Sequence, residues 1–199
     1  MKISAEEYEN WRRSGSPAHL KKSIHYAASA GELSPEWDRP KALLGLIYTE
    51  FSQDREALEL AAELLYEASV LNPANASARL LLAQTLTKLG RFWSAIEVYK
   101  ELFSESESMI TGINTAPLAV CYILDGRINA GVIYFSELRR KYPENDALLI
   151  PYAVLTRHSG KKDEAVKLLK SFSTDRKEAK EYVKELLEQW EKEDSDEPR

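Results

Sequence analysis

The sequence has little of what metal and disulfide chemistry needs: its 199 residues include one cysteine and three histidines. Cys121 alone excludes an internal disulfide framework and a multi-cysteine zinc site, and it fits a reducing compartment. The nearest two histidines, His19 and His25, are six residues apart, whereas two ligands on one helical face lie three or four apart. We therefore predict no metal site.

An excess of positive charge is also absent. Lys and Arg total 27 against 32 Asp and Glu, a formal net charge of −5. Such a chain has no basic field for phosphate, so we predict no nucleic acid partner. Five acids and two bases occupy 191–199, and we predict a disordered acidic tail over 194–199.

Long apolar runs are missing as well. No stretch reaches the ~18 apolar residues of a membrane span, and Glu6 and Glu7 stand where a secretory signal needs its apolar core. Every glycine after Gly31 is isolated, which excludes a glycine-rich phosphate loop and a nucleophile elbow. We expect a cytoplasmic protein with no cofactor, no direct membrane insertion and no enzymatic activity.

What the sequence does contain is an internal period. Hydrophobic residues make up 44% of the chain, enough for a substantial core. Small residues recur at Ala61, Ala95, Gly131 and Ala165, with separations of 34, 36 and 34. Self-similarity at one such period predicts an array of repeated supersecondary units.

Turn residues keep the same phase. Gly90, Gly126 and Gly160 each precede a small residue by five positions, while Pro73 and Pro143 each follow one by twelve. Glycine adopts the positive φ that ends a helix, and proline stops the next one. Each unit is therefore predicted as helix, glycine turn, helix and proline break.

The clearest unit covers 76–109, with helices predicted over 78–89 and 92–103. Its pattern resembles the tetratricopeptide repeat in these residues: Leu82, Ala83, Gly90, Phe92, Ala95 and Tyr99. The resemblance implies an all-α fold, a right-handed solenoid of antiparallel helix hairpins. We assign four tetratricopeptide-like repeats within 42–179: 42–75, 76–109, 112–145 and 146–179. The first fits least, because Glu56 stands where the others have glycine.

The ends need separate treatment, because a stack exposes an apolar face at each terminus. At the front, 1–41 is predicted as a divergent pair of helices, 3–13 and 17–30, followed by a linker over 31–40. At the back, 180–193, starting near 176, is predicted as a capping helix with an apolar face that includes Tyr182 and Trp190.

In proteins that this sequence resembles, the first helix of each pair lines a concave groove that holds partner peptides. Carried over by phase, the resemblance implies these groove residues: Leu80, Gln84, Thr87, Ala116, Val120, Ile123, Ile150, Val154 and Arg157. The second half of this wall is apolar, and a contiguous apolar strip commonly marks a contact site. Among these positions only Arg157 is cationic, which argues against the carboxylate clamp of some relatives.

Two further positions bear on the groove. Pro117 and Pro151, 34 residues apart, fall near the middle of a predicted first helix. Either the helices start late, with proline in the first turn, or they run through and are kinked. Cys121, in a predicted apolar hairpin, is expected to be a core residue rather than a nucleophile.

These observations predict a noncatalytic adaptor or scaffold that holds an apolar or amphipathic protein segment within a multiprotein assembly. Two alternatives stay open at this stage: a chaperone for a secreted or membrane-associated client, and a self-assembling scaffold built as a homo-oligomer. The groove could also be covered by the protein's own segments.

Overall fold

A computed structural model describes residues 2–196, which form eleven α-helices and two short 3-10 segments with no strand among them. The helices divide into two compact units, one ending at Glu107 and one beginning at Ser108. This division lies beside the predicted boundary between the second and third repeats. Within residues 2–196 no helix combines the length and the apolar character that crossing a bilayer requires.

The first unit consists of three helix hairpins. Its helices are α1 (Lys2–Ser14), α2 (Pro17–Leu33), α3 (Asp38–Phe51), α4 (Arg55–Leu71), α5 (Ala76–Lys88) and α6 (Phe92–Glu105). The predicted N-terminal pair is present, and Pro17 occupies the first helical position as expected. The predicted linker is shorter than 31–40, because Pro40 lies in the first turn of α3, where a missing N–H is harmless.

The second unit continues with the remaining elements. These are a 3-10 segment (Glu107–Met109) at the boundary, α7 (Gly112–Leu124), α8 (Ile128–Lys141), a 3-10 segment (Asp146–Leu148), α9 (Leu149–His158), α10 (Lys162–Lys170) and α11 (Lys177–Asp196). Helix α11 extends three residues beyond the predicted end at 193, so 194–196, assigned to the disordered tail, are helical. The remaining tail residues, 197–199, lie outside the described residues.

Three periodic glycines end the first helix of their hairpins. Gly90, Gly126 and Gly160 have φ values of 74°, 72° and 90°. After Gly90, the Arg91 N–H donates to the Leu86 carbonyl at 2.9 Å, and Gly90 itself donates to Thr87 at 3.1 Å. This pair of bonds is the Schellman motif, which explains why the glycine recurs. The turn of the first repeat is built differently. There the Asp54 side chain caps α4 by accepting a hydrogen bond from the Ala57 N–H at 3.2 Å.

The small residues of the period are all buried in the helix packing. Ala61, Ala95 and Ala165 are completely buried, and Gly131 is buried as well. A Cβ added at Gly131 would lie 2.8 Å from Cγ of Tyr122. The period therefore marks buried positions at which a larger side chain would push the packed helices apart.

Pro151 and Pro117 differ: one lies in the first turn of a helix that starts late, and the other lies inside a helix that runs through it. Pro151 is the third residue of α9, so that helix starts late and loses no hydrogen bond. Pro117 lies inside α7, which runs through it from Gly112 to Leu124. Because Pro117 has no N–H, the Ile113 carbonyl lacks the intrahelical donor that position 117 would otherwise supply.

Candidate ligand-binding groove

The main candidate for a contact surface is one face of α7. The opposite face of this helix is buried through residues such as Leu118, Ala119 and Tyr122, which contribute to the core. Cys121 is completely buried too, which confirms its prediction as a core residue. None of the 13 residues of α7 carries a charged side chain. Its solvent-facing side is consequently apolar rather than polar.

Four residues along that side form what we call the α7 stripe. Ile113 is 81% exposed, Val120 45% and Leu124 58%, and Ala116 between them is also exposed. Their spacing of three or four residues, over three turns, places them on one helical face. A soluble protein seldom presents such a row to water unless it serves as a contact surface.

The stripe overlaps the predicted groove residues only in part. Ala116 and Val120 were predicted and belong to it, whereas predicted Ile123 is half-buried. Ile113 and Leu124 are exposed and were missed. Their spacing in the sequence carries a signal, because Ile113 lies seven residues before Val120 and Leu124 lies four residues after it. Periodicity alone, however, does not tell which side of a helix the neighbouring helices cover.

The predicted residues of α9 are more enclosed. Ile150 and Val154 are half-buried and pack against a cluster of α9, α10 and α11 residues: Leu149, Ala153, Ala165, Leu169, Val183 and Trp190. Helix α11 thus covers part of the wall that the α9 residues were predicted to offer. Their contact with a partner stays a prediction.

Arg157 is held by α11 in an arrangement that we call the α11 clasp: Arg157, Trp190, Glu193 and Asp194. Its guanidinium stacks over the Trp190 ring at 4.8 Å and donates to Asp194 Oδ1 at 2.8 Å and to Glu193 Oε2 at 3.2 Å. The Arg157 side chain is only 9% exposed. Hydrogen bonds from Arg157 and Lys162 lower the pKa of the Asp194 carboxyl to about 2. The one cation predicted for the groove is therefore engaged internally.

The first unit contains the remaining three predicted groove residues. Leu80, Gln84 and Thr87 are all half-buried on α5, and the Thr87 hydroxyl donates to the Ala83 carbonyl at 2.8 Å. On α3, the Glu50 carboxylate accepts a hydrogen bond from the Tyr8 hydroxyl of α1. Burial and this bond raise the pKa of Tyr8. These side chains form a more polar surface than the α7 stripe.

A cavity lies beside the stripe, near the N-terminal ends of α7, α9 and α11. It has a volume of about 520 Å³, and its lining includes predicted residues Ala116 and Ile150. Asn145 holds this region together, because it accepts from the Ala147 N–H at 3.1 Å and donates to the Ile110 carbonyl at 3.0 Å. The structure thus brings one predicted groove residue of α7 and one of α9 to a single cavity.

No group of three or more His, Cys, Asp or Glu side chains that could hold a metal occurs within residues 2–196. What the groove provides is apolar area, a cavity and a few charges at its edge. Apolar area with a few polar groups at its edge is typical of ligand sites.

Helix hairpins with buried small residues and closing glycines of positive φ make up an all-α, tetratricopeptide-like fold. The predicted fold class is confirmed by solved structures with this architecture. "Crystal structure of MamA" superposes with a TM-score of 0.65 at 18% identity, covering 85% of this chain and 92% of that one. MamA 41-end from Desulfovibrio magneticus RS-1 gives 0.64 at 13% identity, covering 86% and 92%.

A third similar structure is YrrB, described as a TPR protein with an unusual peptide-binding site. It superposes with a TM-score of 0.59 at 16% identity and covers 85% of this chain and 86% of YrrB. No protein-family model matches the chain, and no curated protein matches it. At these identities the likeness establishes the fold.

Proposed function

We propose that the protein is a noncatalytic adaptor that belongs to the tetratricopeptide repeat family and binds an apolar segment of a partner protein. The observation that carries this proposal is the α7 stripe, an uncharged helix face with three large apolar side chains in water. The fold supports it, as does the peptide-binding site described for YrrB.

The energetics favour an amphipathic or extended segment as the ligand. Burial of apolar surface contributes about 25 cal/mol per Å² before the costs of association are subtracted. Side chains spaced three or four residues apart on α7 match the spacing of the apolar face of another helix. The side chains proposed to contact it are Ile113, Ala116, Val120, Leu124 and, on α9, Ile150.

The test compares a pair of charged substitutions on α7 with a single charged substitution on α8, both in the second unit. We expect Ile113→Glu with Val120→Glu to abolish capture of the native partner from cell extract, because two carboxylates would be buried without counter-charges. Ile133→Glu on α8, which also replaces an exposed isoleucine, should leave capture unchanged. Circular dichroism should show all variants helical.

The proposal fails if the double variant captures the same partner as wild type, or if the Ile133 control loses it equally. A captured partner that is insoluble without this protein would favour the chaperone alternative. We further propose a cytoplasmic location, which cell fractionation tests.

A further inference from the structure

The cavity beside the α7 stripe differs from the stripe in shape and in chemistry. Gly112 and Ala116 of α7 form one side, Ile150 and Pro151 of α9 form another, and α11 completes it with Tyr182. Because Ala116 belongs to both the stripe and the cavity, a segment bound along the stripe would reach the cavity at the N-terminal end of α7. The cavity is thus continuous with the proposed binding surface.

Its walls suit an aromatic side chain. Phe172 and Tyr182 line it together with aliphatic Ile150, and its volume of about 520 Å³ lies within the usual range for ligand sites. Aromatic rings gain from edge-to-face or offset contact with other rings, beyond the area that they bury. Tyr182 is 52% exposed although it was predicted on the apolar face of the capping helix, so its ring is available at the opening.

The charges around the cavity add a second element of specificity. Asp146 and Arg176 are the charged residues of its lining. Asp146 begins the 3-10 segment that leads into α9, where the positive end of the helix compensates a carboxylate. Arg176 precedes α11, where a cation gains nothing from the helix end. Arg176 is exposed and lies in the lining of the cavity, so its guanidinium can reach a bound ligand.

We propose that this cavity receives an aromatic side chain of the bound segment and that Arg176 pairs with a carboxylate next to that side chain. The inference rests on the proposed function, because it names the class of ligand for the same groove. The preferred partner segment combines an apolar helical face with an aromatic-acidic pair at one end.

The test uses fluorescein-labelled amphipathic peptides with leucines at i, i+3, i+7 and i+11. They carry Trp-Glu, Trp-Lys or Ala-Glu at one end, in two versions that place the pair at either terminus. Fluorescence anisotropy with the full chain gives the dissociation constants. We expect Trp-Glu to bind about five-fold tighter than Trp-Lys, and about thirty-fold tighter than Ala-Glu, as for a buried aromatic anchor.

Three variants separate the two contacts. Arg176→Glu should reverse the preference, so that Trp-Lys binds tighter than Trp-Glu, while Arg140→Glu on α8 makes the same charge change elsewhere and should preserve it. Tyr182→Ala should reduce the Trp advantage over Ala about five-fold. All three positions are exposed, so the fold should tolerate the changes.

The outcomes distinguish the two proposals. If the peptides bind wild type with equal affinities, or if Arg176→Glu leaves the order unchanged, the cavity proposal is wrong while the groove proposal stands. If no peptide binds wild type, the cavity proposal is wrong, and the groove proposal is wrong for a helical ligand.

Discussion

At the scale of single residues, the repeats depend on side chains that are small or absent. Gly131 of α8 is buried against α7 and α9. A Cβ added there would lie 2.8 Å from Tyr122 Cγ and 3.0 Å from Leu155 Cδ2. Neither neighbour has free space to move into, because both belong to the packed core. Gly112, by contrast, has no atom within 4 Å of the same added Cβ and no positive φ.

This contrast gives a stability prediction. Gly131→Ala should lower the free energy of unfolding by about 1–3 kcal/mol, because the new methyl group overpacks the helix crossing. Gly112→Ala should leave it unchanged or raise it by up to about 1 kcal/mol, since alanine reduces the entropy of the unfolded chain. Urea denaturation followed by circular dichroism measures both. Equal losses in the two variants would contradict the steric account of the period.

At the scale of elements, α11 is attached mainly by its apolar face and by the α11 clasp. Val183 and Trp190 are buried against α9 and α10, and Arg157 binds the last turns of α11 through Trp190, Glu193 and Asp194. Lys162 adds a second ion pair to Asp194 at 2.9 Å. These ion pairs join α9 and α10 to the end of α11, which continues past 193 into residues assigned to the acidic tail.

The clasp predicts a pH dependence. The pKa of Asp194 is lowered to about 2 in the folded protein, below its unfolded value. Its contribution to the attachment of α11 is therefore present above the unfolded pKa of about 4 and is lost as the pH falls toward 2. We expect the indole NMR signal of Trp190 to shift with a midpoint near pH 2, and this component to disappear in Asp194→Asn. A shift that persists in that variant would assign the transition to another group.

At the scale of the whole molecule, the question is whether the apolar surface is used by another protein or by a second copy. The α7 stripe is compatible with either, because a helix face that accepts an amphipathic helix also accepts an apolar surface of its own chain. Stable protein interfaces bury about 1,200–2,000 Å² in total.

The adaptor proposal predicts that the pure protein sediments as a monomer of 22.6 kDa at tens of micromolar. Sedimentation velocity over a concentration series measures this directly. Growth to larger species that Ile113→Glu with Val120→Glu abolishes would favour the self-assembling scaffold instead, whereas growth unaffected by that variant would locate self-association elsewhere.

Most of the helix order could be predicted from the sequence, because local geometry repeats with it. A glycine at a helix end needs positive φ, and a small residue is needed wherever two helices cross, so Gly90 and Ala95 reveal one hairpin and Gly126 and Gly131 the next. Helix ends were predicted to within a few residues for the same reason.

The candidate site was predictable only in part. The sequence by itself determined the hairpins, their turns and an apolar side of α7, because periodicity and backbone sterics act between neighbours along the chain. The tertiary structure alone decided which side chains remain in water. Contacts between residues more than thirty positions apart enclose Arg157 in the α11 clasp and bring Ala116, Ile150 and Tyr182 to one cavity, and no local pattern encodes those contacts.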